Sequence, residues 1–213
     1  MARSFNLITS TDTRLKWPNL AKPTAPSSGG EKKYNVKLIF PQTSECIQDI
    51  SKVITKTYEA NLDKFIDEQG NTIPLAELNT PLFLGAREYP NQKEFNGCYF
   101  LKAYNRQRPL LYDKARAEEA PSDPEYSKAD PSEFHDGAYV SASLIFFAYA
   151  YGASRGIGCI LDALMKIKDG DSFAATHTTA NDFLASINAE KGSGGSISPD
   201  SSEDDANNWR DLI

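Results

Sequence analysis

Apolar and polar positions alternate most cleanly over Lys33–Phe40. Tyr34, Val36, Leu38 and Phe40 share one face, and Lys33, Asn35 and Lys37 share the other, which predicts a half-buried strand ended by Pro41. Gly97–Arg106 predicts a second strand, with Tyr99, Leu101 and Ala103 facing inward. Phe100, Lys102, Tyr104 and Arg106 then face outward, followed by Arg108 and Pro109 at the exit. Ala138–Tyr151 is apolar on both faces and reads as a central or bent strand. A turn at Gly152–Gly156 leads into Ile157–Ile167, read as a strand paired with its predecessor because the turn is hairpin-like. Between the first two strands, Ile47, Ile50, Ile54, Leu62 and Phe65 recur near helical spacing. They predict one clear helix, capped by Ser44 and running to about Phe65. Residues 67–96 and 113–136 are rich in proline or glycine and read as long inserted loops. The sum is a mainly β chain forming a small twisted sheet or barrel.

Beyond about Asn188 the chain loses its core-forming character. GSGGSISPDSSEDDANN reads as a flexible stretch. It ends in Trp209-Arg210-Asp211-Leu212-Ile213, an apolar tip on an acidic tail. The expected organisation is a domain over 1–189 and a disordered acidic tail over 190–213.

Charge sharpens this division. The net charge of −6 is unevenly spread. Residues 192–213 carry −4 and residues 113–136 carry −5, leaving +3 on the remainder. An acidic chain therefore contains a mildly basic body, so a polyanionic partner is not excluded. No apolar run reaches the roughly 18 residues of a spanning helix, and MARSFNLITS lacks the apolar block of a signal peptide. The expected setting is a reducing cytoplasm, with no membrane partner. Cys46, Cys98 and Cys159 are widely spaced and odd in number. With only His135 and His177 besides, neither a zinc ribbon nor a disulfide framework is expected, and no metal or cofactor.

Two features invite enzymatic readings. Gly152-Ala153-Ser154-Arg155-Gly156-Ile157-Gly158 matches the glycine turn of the short-chain dehydrogenases. That turn should open a long α/β region with a Tyr-x-x-x-Lys downstream. Only 55 residues follow Gly158, and no tyrosine occurs after Tyr151. The segment is better read as a strand-joining turn. The acids Glu118, Glu119, Asp123, Glu125, Asp130, Glu133 and Asp136 could instead supply the metal ligands of a nuclease. A proline-broken polar loop is more simply solvated surface.

The basic-aromatic faces carry a stronger signal. An unpaired nucleic-acid strand offers phosphates and flat bases, and a groove combining cations with rings holds both. Lys33, Lys37, Lys102, Arg106, Arg108 and Arg155 are the expected phosphate contacts, and Lys16 accompanies Trp17 in a second basic cluster. Trp17, Phe100, Tyr104 and Tyr149 are the expected stacking rings. In the tail, Asp200, Glu203, Asp204, Asp205 and Asp211 with Trp209, Leu212 and Ile213 form a bait for a basic, apolar pocket on a partner.

The order of several short motifs resembles the phage and prophage single-stranded DNA-binding proteins. They are Arg14-Leu15-x-Trp17-Pro18-Asn19-Leu20, Lys33-Tyr34-x-Val36-x-Leu38-Ile39-Phe40-Pro41, Gly97-x-Tyr99-Phe100-Leu101-x-Ala103, Gly137-Ala138-Tyr139-Val140, Ala148-Tyr149, Gly156-Ile157-Gly158, Leu161, Lys166-Ile167, Asp169-Gly170-Asp171 and Asp182-Phe183. The likeness spans about residues 12 to 188. It implies a five-stranded OB-fold barrel, DNA coating during phage replication and recombination, and no catalytic residues. It also implies a tail that recruits replication or recombination proteins, in the cytoplasm of a host cell. Familiar bacterial tails of this kind end in phenylalanine, whereas this one ends in Leu212-Ile213. A homodimer is compatible with this reading. A metal-dependent nuclease and a virion or scaffolding protein are the alternatives.

Overall fold

The computed structural model describes residues 3–25 and 29–173. In chain order these form β1 (Ser4–Ile8), β2 (Thr13–Thr24), β3 (Lys33–Pro41), α1 (Cys46–Glu59), β4 (Leu82–Leu84) and α2 (Gly85–Glu88). They continue with β5 (Cys98–Asn105), β6 (Leu110–Asp113), α3 (Lys114–Glu119), β7 (Tyr139–Tyr151) and β8 (Ser154–Lys168). Five strands close a circuit, β2-β3-β5-β8-β7 and back to β2. Every junction is antiparallel except β5–β8. That order and that single parallel seam define the OB-type barrel expected from the sequence. β1, β4 and β6 flank the circuit on β7, β5 and β8.

The alternating strands land as read. Val36, Leu38 and Phe40 of β3, Leu101 and Ala103 of β5, and Leu144, Phe146 and Ala148 of β7 fill the barrel core. β8 adds Ile157, Cys159, Leu161 and Leu164, and Ile50 and Ile54 bring α1 onto the same core. The β7–β8 hairpin turns on Gly152 and Ala153, with Tyr151 opposite Ser154 and Gly152 at φ 55°. This is the positive-φ turn that matches strand twist.

Several local expectations change. The helix stops at Glu59, six residues before Phe65, and a separate 3₁₀ turn covers Leu62–Lys64. Ser44 does not cap it with its side chain; Glu45 holds the N-cap position, and only the Ser44 carbonyl accepts from Ile47 N–H. The stretch read as loop over 67–96 contains β4 and α2. The 113–136 segment opens with the end of β6, then α3 and a 3₁₀ turn over Pro131–Glu133. The 189/190 boundary and the acidic tail lie outside the described residues.

One irregularity sets up the outer face. Register slips between Lys16 and Asn19 where β2 meets β3, and Trp17 adopts φ 48°. Strict alternation would send Trp17 inward with Leu15. The bulge re-aims it outward instead, onto a second apolar cluster of Ile39, Phe95 and Phe100 with Phe83, Tyr89, Cys98 and Phe173. A left-handed tryptophan costs on the order of 1–3 kcal/mol. The Asp136 carboxylate compensates by accepting the Trp17 N–H at 2.6 Å.

Candidate nucleic-acid interface

Strand register places three lysines side by side on the outer face of the barrel. Lys16 of β2 lies opposite Lys37 of β3, which lies opposite Lys102 of β5. Directly opposed like charges destabilise a sheet. Lys16 is neutralised: it is 4% exposed and pairs with Glu94 at 2.8 Å and Asp136 at 3.1 Å. Among the described residues, no carboxylate pairs with Lys37 or Lys102. Their ammonium groups rest on rings instead. Lys37 Nζ lies 3.8 Å from the Trp17 ring centre and 5.1 Å from that of Tyr89. Lys102 Nζ lies 4.0 Å from the Phe83 centre, and Lys33 Nζ 4.3 Å from that of Tyr104. Burial first, then the neighbouring ammonium groups of Lys102 and Lys16, push Lys37 down from its usual 10.5 to about 8, against the pull of Asp136.

Around these lysines three adjoining hollows make one groove. The largest, about 640 Å³, is lined by Trp17, Lys33, Asn35, Lys37, Tyr89, Lys102 and Tyr104. The next, about 440 Å³, runs from Lys33 and Tyr104 past Arg106 to Phe147. The third, about 300 Å³, lies between Phe83, Lys102 and Tyr149. Tyr104 meets Phe147 edge-on with centres 6.5 Å apart, and Phe147 meets Tyr149 at 6.4 Å. Burial, then Tyr149, hold the Tyr104 hydroxyl above its ordinary value, so it stays protonated as a hydrogen-bond donor.

Trp17, Lys33, Lys37, Lys102, Tyr104, Arg106 and Tyr149 are therefore brought together. The Arg106 guanidinium is already engaged by Glu31 at 2.6 Å, in a pair exposed to solvent. Other expected residues stand elsewhere. Phe100 is fully buried beneath Phe83, Tyr89 and Phe95, so its faces are packed rather than displayed. Alternation gave its side of the sheet correctly but not the cover that β4 and the 85–95 segment place over it. Lys16 is sealed by two carboxylates. Arg108 donates to the Ala21 carbonyl at 2.8 Å and lines a separate hollow with Leu110, Tyr112 and Lys128. Arg155 lines none of the three hollows, and its carbonyl is tied to Asn79. The expected tail residues lie outside the described residues.

Three groove rings were missed from sequence. Phe147 was legible, because it shares its face of β7 with Tyr149. Phe83 and Tyr89 sit in the stretch read as loop, where no periodicity marks a face. The glycine motif resolves with them. Gly158 lies opposite Phe147, and a Cβ there would meet the ring at 2.5 Å. Gly156 lies opposite Tyr149, closely approached by its hydroxyl and by the Asn79 carbonyl. These glycines make room for rings and backbone on a strand; they do not cradle a phosphate at a helix end. Among the described residues, no group of three or more His, Cys, Asp or Glu is placed to hold a metal ion.

A five-stranded OB-type barrel with an outer groove of lysines and aromatic rings defines the class. The chain belongs to the Enterobacter phage Enc34 ssDNA-binding protein family, whose model matches residues 5–192. A curated relative, putative protein p50 of Acyrthosiphon pisum secondary endosymbiont phage 1, is 27% identical over 167 residues, 76% of this chain and 83% of its own. The solved single-stranded DNA-binding protein of bacteriophage Enc34 in complex with ssDNA has a TM-score of 0.59 at 20% identity, covering 80% of this chain and 89% of its own. The single-stranded DNA-binding protein gp2.5 of bacteriophage T7 has a TM-score of 0.52 at 14% identity, covering 81% of this chain and 96% of its own. At these identities the structural likeness speaks for the fold.

Proposed function

We propose that this chain binds single-stranded DNA in the groove between β3, β5 and β7, without chemical catalysis. The observation that carries the reading is the pairing of ring and cation. Trp17, Phe83 and Tyr104 each have a lysine ammonium within about 4 Å and each line the groove. Such a surface serves bases and phosphates together, and it tolerates any sequence because every base has a flat face. Lys33, Lys37, Lys102 and Arg106 are the phosphate contacts, and Trp17, Tyr104, Phe147 and Tyr149 the stacking platforms. The protein would coat DNA exposed during phage replication and recombination in the host cytoplasm. Residues 200–213 would recruit a replication or recombination protein and compete with DNA for the groove.

The deciding experiment is an anisotropy titration of labelled dT oligonucleotide and of a duplex of equal length at several salt concentrations. Preference for the single strand, with affinity falling as salt rises, supports the proposal. No retention in dilute buffer ends it. Incubating the complex with magnesium or manganese is expected to leave the strand uncut. Deleting 200–213 is expected to tighten binding at low salt; unchanged affinity would leave recruitment as the tail's only role.

A further inference from the structure

We propose that one backbone phosphate docks between Lys37 and Lys102, and that filling this subsite draws a proton from solution. The inference rests on the ssDNA-binding reading above and assigns its central contact. The geometry carries it. Two lysines stand directly opposite one another on adjacent strands, both lining the largest of the three hollows, with a ring face against each ammonium group. Their row-mate Lys16 has two carboxylates, 2.8 and 3.1 Å away. The fold therefore neutralises the first lysine of the row and leaves the next two without a described carboxylate. A phosphodiester oxygen is the anion that a DNA strand would bring to that gap.

The proton follows from what surrounds Lys37. Lys16 of β2 and Lys102 of β5 repel its charge, Asp136 from the segment before β7 attracts it, and Tyr89 and Trp17 shield it from water. Glu94 faces the same row but is committed to Lys16, which helps hold its carboxyl below the usual range. The free protein thus holds Lys37 half-protonated near pH 8. A phosphate beside it favours the charged form and returns it toward the ordinary lysine range. DNA then binds the protonated form better, so affinity falls as pH rises through about 8.

The test is titration of labelled dT oligonucleotide into the full chain from pH 7 to pH 9 at fixed ionic strength. Calorimetry at pH 8 in two buffers of different ionisation enthalpy counts the protons. The expected loss for the wild type is about tenfold across that range, with roughly half a proton taken up at pH 8. Lys37→Arg keeps its charge throughout and is expected to bind with a flat profile. Lys37→Met is expected to bind about tenfold more weakly at pH 7, also with a flat profile. Lys102→Met removes a repelling charge and is expected to move the break to higher pH. A wild-type affinity that is level from pH 7 to 9, or a loss that persists in Lys37→Arg, overturns the subsite while leaving DNA binding intact. Failure to bind at pH 7 instead overturns the broader reading.

Discussion

The acidic 113–136 segment and the lysine groove are two oppositely charged regions among the described residues, and they handle charge in opposite ways. Every acid of the segment has a partner within it or beside it. Asp113 caps α3, Glu118 pairs with Lys114, Glu119 accepts from Tyr126, and Asp123 and Asp130 close turns through backbone N–H groups. Glu125 pairs with Lys128, Glu133 with Arg116, and Asp136 holds both Lys16 and the Trp17 N–H. In the groove, Lys37 and Lys102 face each other over rings, and no described carboxylate forms an ion pair with either. A charged segment whose every acid already has a donor needs no added ligand, even though this one keeps a net charge of −5. One that leaves like charges opposed is a place where an anion lowers the energy, and that contrast separates ornament from site more sharply than net charge does.

The row of lysines offers the severest way to break this contrast. Lys16→Met removes the one cation shared by Glu94 and Asp136, both largely shielded from water. Stranding them is expected to cost about 3 kcal/mol of stability, read as a lower urea midpoint at unchanged slope. Lys16 would then be a structural residue, unlike its neighbours. A variant that unfolds like the wild type would mean that the pairing carries little, and that Lys16 belongs with the free cations after all.

Next in size is Tyr104→Ala, which strips a ring from the middle of the groove. The expected loss of ssDNA affinity is about 1–3 kcal/mol, roughly fivefold to 150-fold, with little change in melting temperature. Phe100→Ala should behave in the reverse way. Its ring is fully buried, so the loss appears in stability, about 3–5 kcal/mol.

Phe100 also marks the limit of what the sequence reveals. Period-two patterning identified β3 and β5, whose alternating residues let one face declare itself; β7 was legible as a long apolar run and β8 only through the hairpin-like turn before it. Patterning could not identify β1, β4 or β6, which run five residues or fewer and pair only along the flanks. Alternation assigns a side chain to a face but not the fate of that face. Phe100 and Lys102 share an outward side, yet the 82–95 segment covers one and leaves the other open. The bulge at Trp17 defeats alternation altogether, and only the neighbouring basic residues pointed to that tryptophan as surface. The opposition of Lys16, Lys37 and Lys102 was invisible because register is a property of three strands and not of any one.

A smaller effect distinguishes Lys37 from Lys16 in stability. Its depressed value means that the folded chain binds fewer protons than the unfolded chain between about pH 8 and the ordinary 10.5. Stability therefore rises with pH across that window, and the full penalty is present below pH 8. Lys37→Met is expected to raise stability at pH 7 by up to about 1 kcal/mol, given that the site is half open to solvent, and this advantage should fade as pH approaches 10.5. Thermal melts at pH 7 and pH 10 read it. The same substitution is expected to weaken DNA binding, so a residue that harms the empty fold while serving the filled groove would be the mark of a functional position.

The smallest expected effect tests the other half of the comparison. Glu118 and Glu125 lie in exposed pairs with Lys114 and Lys128, three or four residues apart in sequence. Such pairs contribute within about 0.5 kcal/mol, so Glu118→Gln with Glu125→Gln is expected to leave stability almost unchanged. Two negative charges are nonetheless gone. If the segment is self-contained, ssDNA affinity at a fixed, moderate salt concentration stays within about twofold, because screening over roughly 10 Å hides the change from the groove. If affinity instead rises several-fold, and the gain disappears in high salt, the segment repels DNA at a distance. The acids would then guard the groove despite their local partners, and pairing alone would no longer tell a solvated loop from a functional one.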